Sequence, residues 1–255
     1  MTRSLAAVFA HPDDETFATG GTLAKYAEEG VRCCLYSATD GDAGRSSGIP
    51  VSSREELGRI RRAELIEACA LLGVAAIDHG GHPDGALAAA DPDVVIGQIV
   101  ALLRRERPQV VLTFGPEGAP TGHRDHRAIN RFASSAVLLA GTAAFPDQLA
   151  AGLRPHRPDR LCLVTWPDPT ADEAPRQQGQ PIQIRIPVEP WHPRKLDAFF
   201  AHRTQSEHEA YFRREAMPAT EDYFVAIGTP APHGATDLWE GIGGDGARLS
   251  VLSDR

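Results

Sequence analysis

The six residues Ala10-His11-Pro12-Asp13-Asp14-Glu15 constrain this chain more than any others, because they stand between an apolar run, 5–10, and a helix-like segment, 16–29. An unbroken apolar run reads as a buried strand, and Gly30 is a helix stop, so the chain opens with a strand, a sharp junction and a helix. At the junction His11 sits at the strand tip and Pro12 fits the first helical position. Three carboxylates crowd the first turn, where the helix dipole favours negative charge. His11 and Asp14 are three apart, a spacing that can bring imidazole and carboxylate onto one ion and leave Asp13 between them for another task.

A partner motif follows far downstream. Gly122-His123-Arg124-Asp125-His126 comes after a second apolar run, 110–114, and a Gly/Pro-rich loop. Together the two stretches hold a His/Asp/His set with a spare carboxylate and a spare histidine, the inventory of a hydrolytic zinc centre.

Between them strand and helix signals alternate: strands at 31–39 and 74–77, helices at 53–72 and 92–106, then the strand 110–114 and a helix over 125–139. Ser53 is the N-cap of the second helix, with Glu55 and Glu56 in its first turn. This alternation predicts an α/β fold, a Rossmann-like three-layer sandwich whose mostly parallel sheet carries helices on both faces. With strand order 3-2-1-4-5, both motifs hang from neighbouring strand ends beside a topological switch point. Later signals are a strand at 161–166, a Pro/Gln-rich exposed loop at 167–181, an edge strand at 182–188 and a helix at 193–204. After Gly228 the tail reads as irregular.

Two motifs and these elements resemble the PIG-L/LmbE-like family of zinc-dependent N-acetylglucosaminyl deacetylases, which pairs A-H-P-D-D-E with G-H-x-D-H in this order and setting. The resemblance implies zinc held by His11, Asp14 and His126, with Asp13 as the base that deprotonates the attacking water. It further implies His123 as the oxyanion donor and Asp125 as the group that orients it. Iron(II) or another divalent ion also suits a His2Asp site. Arg54, beside the loop Thr39-Asp40-Gly41-Asp42-Ala43-Gly44, and Asp84, in His82-Pro83-Asp84-Gly85, match substrate contacts of the family. Arg124 departs from it, standing where many members have proline. Lys195, Ala198, His202 and Gln205 match a further family pattern, in which His202 is either structural or turned to the site.

Taken as residues alone, His79 to Gly85 is good turn chemistry rather than a second metal site, and Arg59-Ile60-Arg61-Arg62 reads as a solvated helix face. The expected substrate is a small molecule containing N-acetylglucosamine, a thiol-cofactor precursor or a glycosylated natural product. The first alternative is a zinc-dependent hydratase of an unsaturated oxo-acid, which needs cations such as Arg54 and Arg124 in its pocket. A non-catalytic sugar-binding domain is the second, although it predicts a broken motif. A dinucleotide-dependent oxidoreductase lacks its glycine fingerprint after the first strand.

The bulk properties agree. A chain of 255 residues, 42% hydrophobic and 24% charged, fits one domain over 1–255 with ample core. The net charge of −8, without a long basic cluster, argues against nucleic acid or an anionic membrane as partner. No apolar run reaches membrane-spanning length, and the start lacks a signal-peptide core, so a cytoplasmic protein is expected. Cys33, Cys34, Cys69 and Cys162 lie in apolar segments without C-x-x-C spacing and are expected as buried reduced thiols. A homo-oligomer is left open.

Overall fold

The computed structural model describes residues 2–166 and 179–243. Strands β1 (Ser4–Phe9), β2 (Arg32–Thr39), β3 (Ala76–His82), β4 (Val110–Phe114), β5 (Arg160–Thr165), β6 (Ile184–Pro187) and β7 (Thr220–Gly228) form one sheet in the order β3-β2-β1-β4-β5-β7-β6. The first five are parallel, as the strand–helix alternation requires, and β7 pairs antiparallel with both β5 and β6. Strands β1 and β4 are buried at every position, which is why they read as unbroken apolar runs instead of alternating ones.

Helices α1 (Asp14–Glu28), α2 (Arg54–Leu72), α3 (Pro92–Glu106) and α4 (Arg124–Ala140) make the crossovers. Helix α2 starts where expected: the Ser53 hydroxyl accepts the Glu56 N–H at 3.1 Å, and Gly73 closes the helix at φ 79°. Ser53→Ala is expected to cost about 1 kcal/mol of stability, read as a shift in urea midpoint at constant slope.

Three expectations about local structure are corrected. Pro12 is not the first helical residue, because α1 begins at Asp14 with Asp13 as its N-cap at φ 114°. The Asp14 carboxylate turns back to accept the Ala10 and His11 N–H groups at 3.1 and 2.8 Å, so the chain makes a tight corner before the helix. Strand β3 is longer than 74–77 and runs through His79 to His82, because its backbone continues to pair with β2 as far as Thr39. Gly80 permits the approach, since a Cβ there would meet the Tyr36 hydroxyl oxygen at 2.5 Å. The segment 193–204 is helical only over α6 (His192–Ala201), after a short α5 (Pro146–Ala150), and is followed by a 3-10 turn, Arg203–His208.

Beyond that turn lie α7 (Glu209–Glu215) and β7, neither of which the sequence reading proposed. Most of the Pro/Gln-rich segment and residues 244–255 of the tail lie outside the described residues. Up to Ile242 the tail holds no strand or helix, but it is packed: Leu238 and Trp239 are buried, and the Arg160 guanidinium donates to the carbonyls of Thr229, Pro230, Leu238 and Glu240. All four cysteines are free and buried, and burial pushes the Cys33 and Cys162 thiols up to about 12. Among the described residues no helix is long and apolar enough to cross a membrane.

Candidate metal and catalytic site

Because β1 and β4 are neighbours, their C-terminal ends bring the two motifs together. His11, Asp13, Asp14, Asp84, His123 and His126 line a single cavity of about 470 Å³. Asp14 is the link: Oδ2 lies 3.4 Å from His11 Nδ1, and Oδ1 lies 3.1 Å from His126 Nε2. His126 itself is stacked on Phe114 at 3.9 Å between centroids, which fixes the plane of its ring.

The donor chemistry suits a metal ion. His11 Nε2 and His126 Nδ1 are buried and make no hydrogen bond, and carboxylate oxygens of Asp84 and Asp125 stand 3.0 and 3.4 Å from His11 Nε2. An unsatisfied buried ring nitrogen that faces carboxylates, as His11 Nε2 does, is costly without a cation or proton to share. Among the described residues two sets have all their donor atoms within 4.8 Å of one another, His11, His123 and His126, and His11, Asp84 and Asp125; Asp14, expected as a ligand, belongs to neither, and His11 belongs to both.

The adjacent acids are treated differently. Burial pushes the Asp13 carboxyl up to about 6, against the pull of the Arg61 guanidinium. Burial acts on Asp14 in the same sense, but the His126 and His11 imidazoles outweigh it and hold that carboxyl well below the usual carboxylate range. One acid thus faces two imidazoles while its neighbour faces an arginine.

His123 is the N-cap of α4, and its Nδ1 accepts the Asp125 N–H at 3.2 Å. A neutral ring that accepts at Nδ1 carries its proton on Nε2. Burial, aided by His11 and His126, lowers the pKa of this imidazole, which favours the neutral form. The Asp125 carboxylate, expected to orient His123, accepts the Gly85 and Leu87 N–H groups at 2.8 and 3.2 Å. It therefore anchors the loop that carries Asp84.

Arg54 is not brought to the cavity. It is exposed, pairs with Asp42 at 2.8 Å and donates to the Asp84 carbonyl at 3.2 Å. Arg124 is exposed as well. His202 is fully buried behind the site, where Nε2 contacts Glu15 Oε1 at 2.8 Å, while Glu15 Oε2 accepts the Asp13 N–H at 3.0 Å. Burial disfavours its charge, yet the Glu15 carboxylate raises its pKa.

The expectation of a solvated face for residues 59–62 fails at Arg61, which is 4% exposed and sits 3.0 Å from Asp13 Oδ2. A signal for it was present. Leu57, Arg61, Leu65, Ala68 and Leu72 follow the helical repeat, and all are buried, so Arg61 occupies the apolar stripe of α2.

The model of the PIG-L family, described as GlcNAc-PI de-N-acetylase, matches residues 6–137. A 1D-myo-inositol 2-acetamido-2-deoxy-alpha-D-glucopyranoside deacetylase of Rhodococcus opacus is 39% identical over 57% of this chain and 56% of its own length. The deacetylase of the same description from Rhodococcus erythropolis is 32% identical over 94% of this chain and 98% of its own. Among solved structures, the N,N'-diacetylchitobiose deacetylase of Pyrococcus horikoshii superposes with a TM-score of 0.73 at 24% identity, covering 88% of this chain and 84% of that one. At that identity the superposition speaks for the fold alone. With the family match over half of its length and a full-length relative above 30% identity, the chain belongs to the PIG-L family of GlcNAc-PI de-N-acetylases.

Proposed function

We propose that this protein is a zinc-dependent deacetylase that removes the N-acetyl group from an N-acetylglucosamine unit carried on a small molecule, in the manner of the inositol-linked sugar named for its relatives. The observation that carries this reading is the division of labour between adjacent acids: Asp14 bridges His11 and His126, whereas Asp13 lines the same cavity and is held by Arg61. His11, Asp14 and His126 would hold the metal. When bound, zinc lowers the pKa of a water to about 7 and polarises the amide carbonyl.

The protein's own groups then move the protons. Asp13, with Oδ2 held by Arg61, takes the proton of the attacking water at Oδ1 and later delivers it to the departing amine nitrogen. His123 donates from Nε2 to the amide oxygen as charge builds there, a role worth about 3 kcal/mol. Asp125 fixes the loop that presents Asp84, and Asp84 contacts the sugar. Arg54 acts through that loop by way of the Asp84 carbonyl. A cytoplasmic setting belongs to the same reading and is supported by four unpaired buried cysteines. The hydratase alternative is not favoured, since the relative matched over 94% of this chain is named a deacetylase.

The test is amine release from a panel of N-acetylglucosaminyl compounds, inositol-linked and aryl-linked among them, by zinc-loaded protein. Release of amine and acetate in equal amounts is expected. No release from any compound, with about one zinc still bound per chain, would count for the hydratase.

A further inference from the structure

The loop Thr39-Asp40-Gly41-Asp42-Ala43-Gly44 has no task in the mechanism, yet it meets the buried Arg61 that holds Asp13. The Arg61 guanidinium donates to the Pro12 carbonyl at 2.6 Å, to Asp13 Oδ2 at 3.0 Å and to the Gly41 carbonyl at 2.8 Å. It therefore joins the corner after β1 to the loop after β2. Both glycines are shaped around it: a Cβ on Gly41 would lie 2.3 Å from Arg61 Nη1, and one on Gly44 would lie 2.4 Å from the same atom. Thr39 ties the loop to the corner from the other side, its hydroxyl donating to the Ala10 carbonyl at 2.9 Å and accepting the Gly41 N–H at 3.2 Å.

The residue so gripped is in an unfavourable conformation. Asp13 has φ 114°, a region that non-glycine residues adopt only when their surroundings enforce it. Its N–H is held by Glu15, the carbonyl before it by Arg61, and its carboxylate by the same guanidinium. A guanidinium can do this because its five donors lie in a rigid planar fork, which a lysine cannot reproduce.

We propose that Arg61 is a positioning residue, which clamps Asp13 so that its carboxylate addresses the attacking water, and that the loop from Gly41 to Gly44 is the cradle that seats the clamp. The inference rests on the reading of Asp13 as the base. It assigns a physical purpose to the glycine pattern of that loop.

The experiment is a double-mutant cycle on zinc-loaded protein, with kcat, KM and bound zinc measured for Arg61→Gln, Arg61→Lys, Asp13→Ala and the Asp13→Ala/Arg61→Gln pair. A base displaced by about 1 Å loses on the order of 100-fold. Arg61→Gln is therefore expected to lower kcat about 100-fold with KM within about twofold and zinc retained, and Arg61→Lys to restore little. In the Asp13→Ala background the same substitution is expected to change residual turnover by less than about twofold, since the clamp then has nothing to hold. A full further loss in that background, an effect confined to KM, or loss of zinc overturns the proposal. An Asp13→Ala enzyme that keeps its turnover overturns the base assignment and the clamp together, whereas an inactive Asp13→Ala with additive Arg61 effects overturns the clamp alone. If Arg61→Gln does not fold, Gly44→Ala takes its place. Gly44 has ordinary backbone angles, so its new methyl pushes the guanidinium aside, and about a tenfold fall in kcat at constant KM is expected. Unchanged kcat there overturns the proposal.

Discussion

Asp13→Ala is expected to lower turnover of an N-acetylglucosaminyl substrate by about 100- to 10,000-fold while the protein stays folded and binds zinc. The magnitude follows from the proposed role of Asp13 as the base that takes the water's proton. Zinc binding survives because His11, Asp14 and His126 contact one another through Asp14 and not through Asp13. Folding survives because Arg61 keeps the Pro12 and Gly41 carbonyls as partners. Asp13→Asn, which keeps the shape and a hydrogen bond to Arg61 but has little basicity, should be as inactive as the alanine variant. Steady-state rates, circular dichroism and zinc content measured on one preparation decide the matter. Turnover within tenfold of the parent would remove Asp13 from the reaction.

The largest effect on stability is expected at the middle of α1, where Glu221 meets Gly21 and Thr22. Lys195 is fully buried, and its Nζ lies 2.6 Å from Glu221 Oε1 and 3.2 Å from the Phe17 carbonyl. Glu221 also accepts the Gly21 and Thr22 N–H groups at 2.9 and 2.8 Å, so the ion pair stitches α6 and β7 to α1. Space there is tight. A Cβ on Gly20 would meet the Lys195 side chain at 2.9 Å, and one on Gly21 would meet Val188 at 2.6 Å, which explains two consecutive glycines inside a helix.

Glu221→Ala strands a buried ammonium and is expected to cost about 3–5 kcal/mol, enough to unfold a marginal domain. Adding Lys195→Met removes the stranded charge and should recover much of that loss, because replacing both members of a buried pair is far less harmful than removing one. Urea denaturation of the two single variants and the pair measures this. Equal costs for Glu221→Ala and the double variant would show that burial of the charge is not the cause.

Much of the fold was legible for a definite reason. Elements β1, β2, α2, α3 and β4 announce themselves by period, caps and breakers, all of which act within a few residues. Strand order then follows from right-handed crossovers, and the switch point between β1 and β4 from the order. Beyond Ala140 legibility falls: β7 lies antiparallel between β5 and β6, and no local rule says where such a strand inserts. The site divides along the same line. His11, Asp14 and His126 could be proposed as ligands because two short motifs carry them and resemble those of the family. Arg61 was misread because four basic-rich residues on a helix suggest solvent, although its place on the apolar stripe pointed inward.

By itself the sequence determined the strand-to-helix corners, the alternation that makes a parallel sheet, and which residue types stand at the two strand tips. Only the tertiary structure decided which charges are partners: Arg61 with Asp13 across 48 residues, Glu15 with His202 across 187, and Lys195 with the Glu221 that reaches back to Gly21 across 200. Short-range sterics and periodicity are written in neighbouring residues. The partner of a buried charge is whatever the packing of distant elements places within about 3 Å, and no local pattern records that distance.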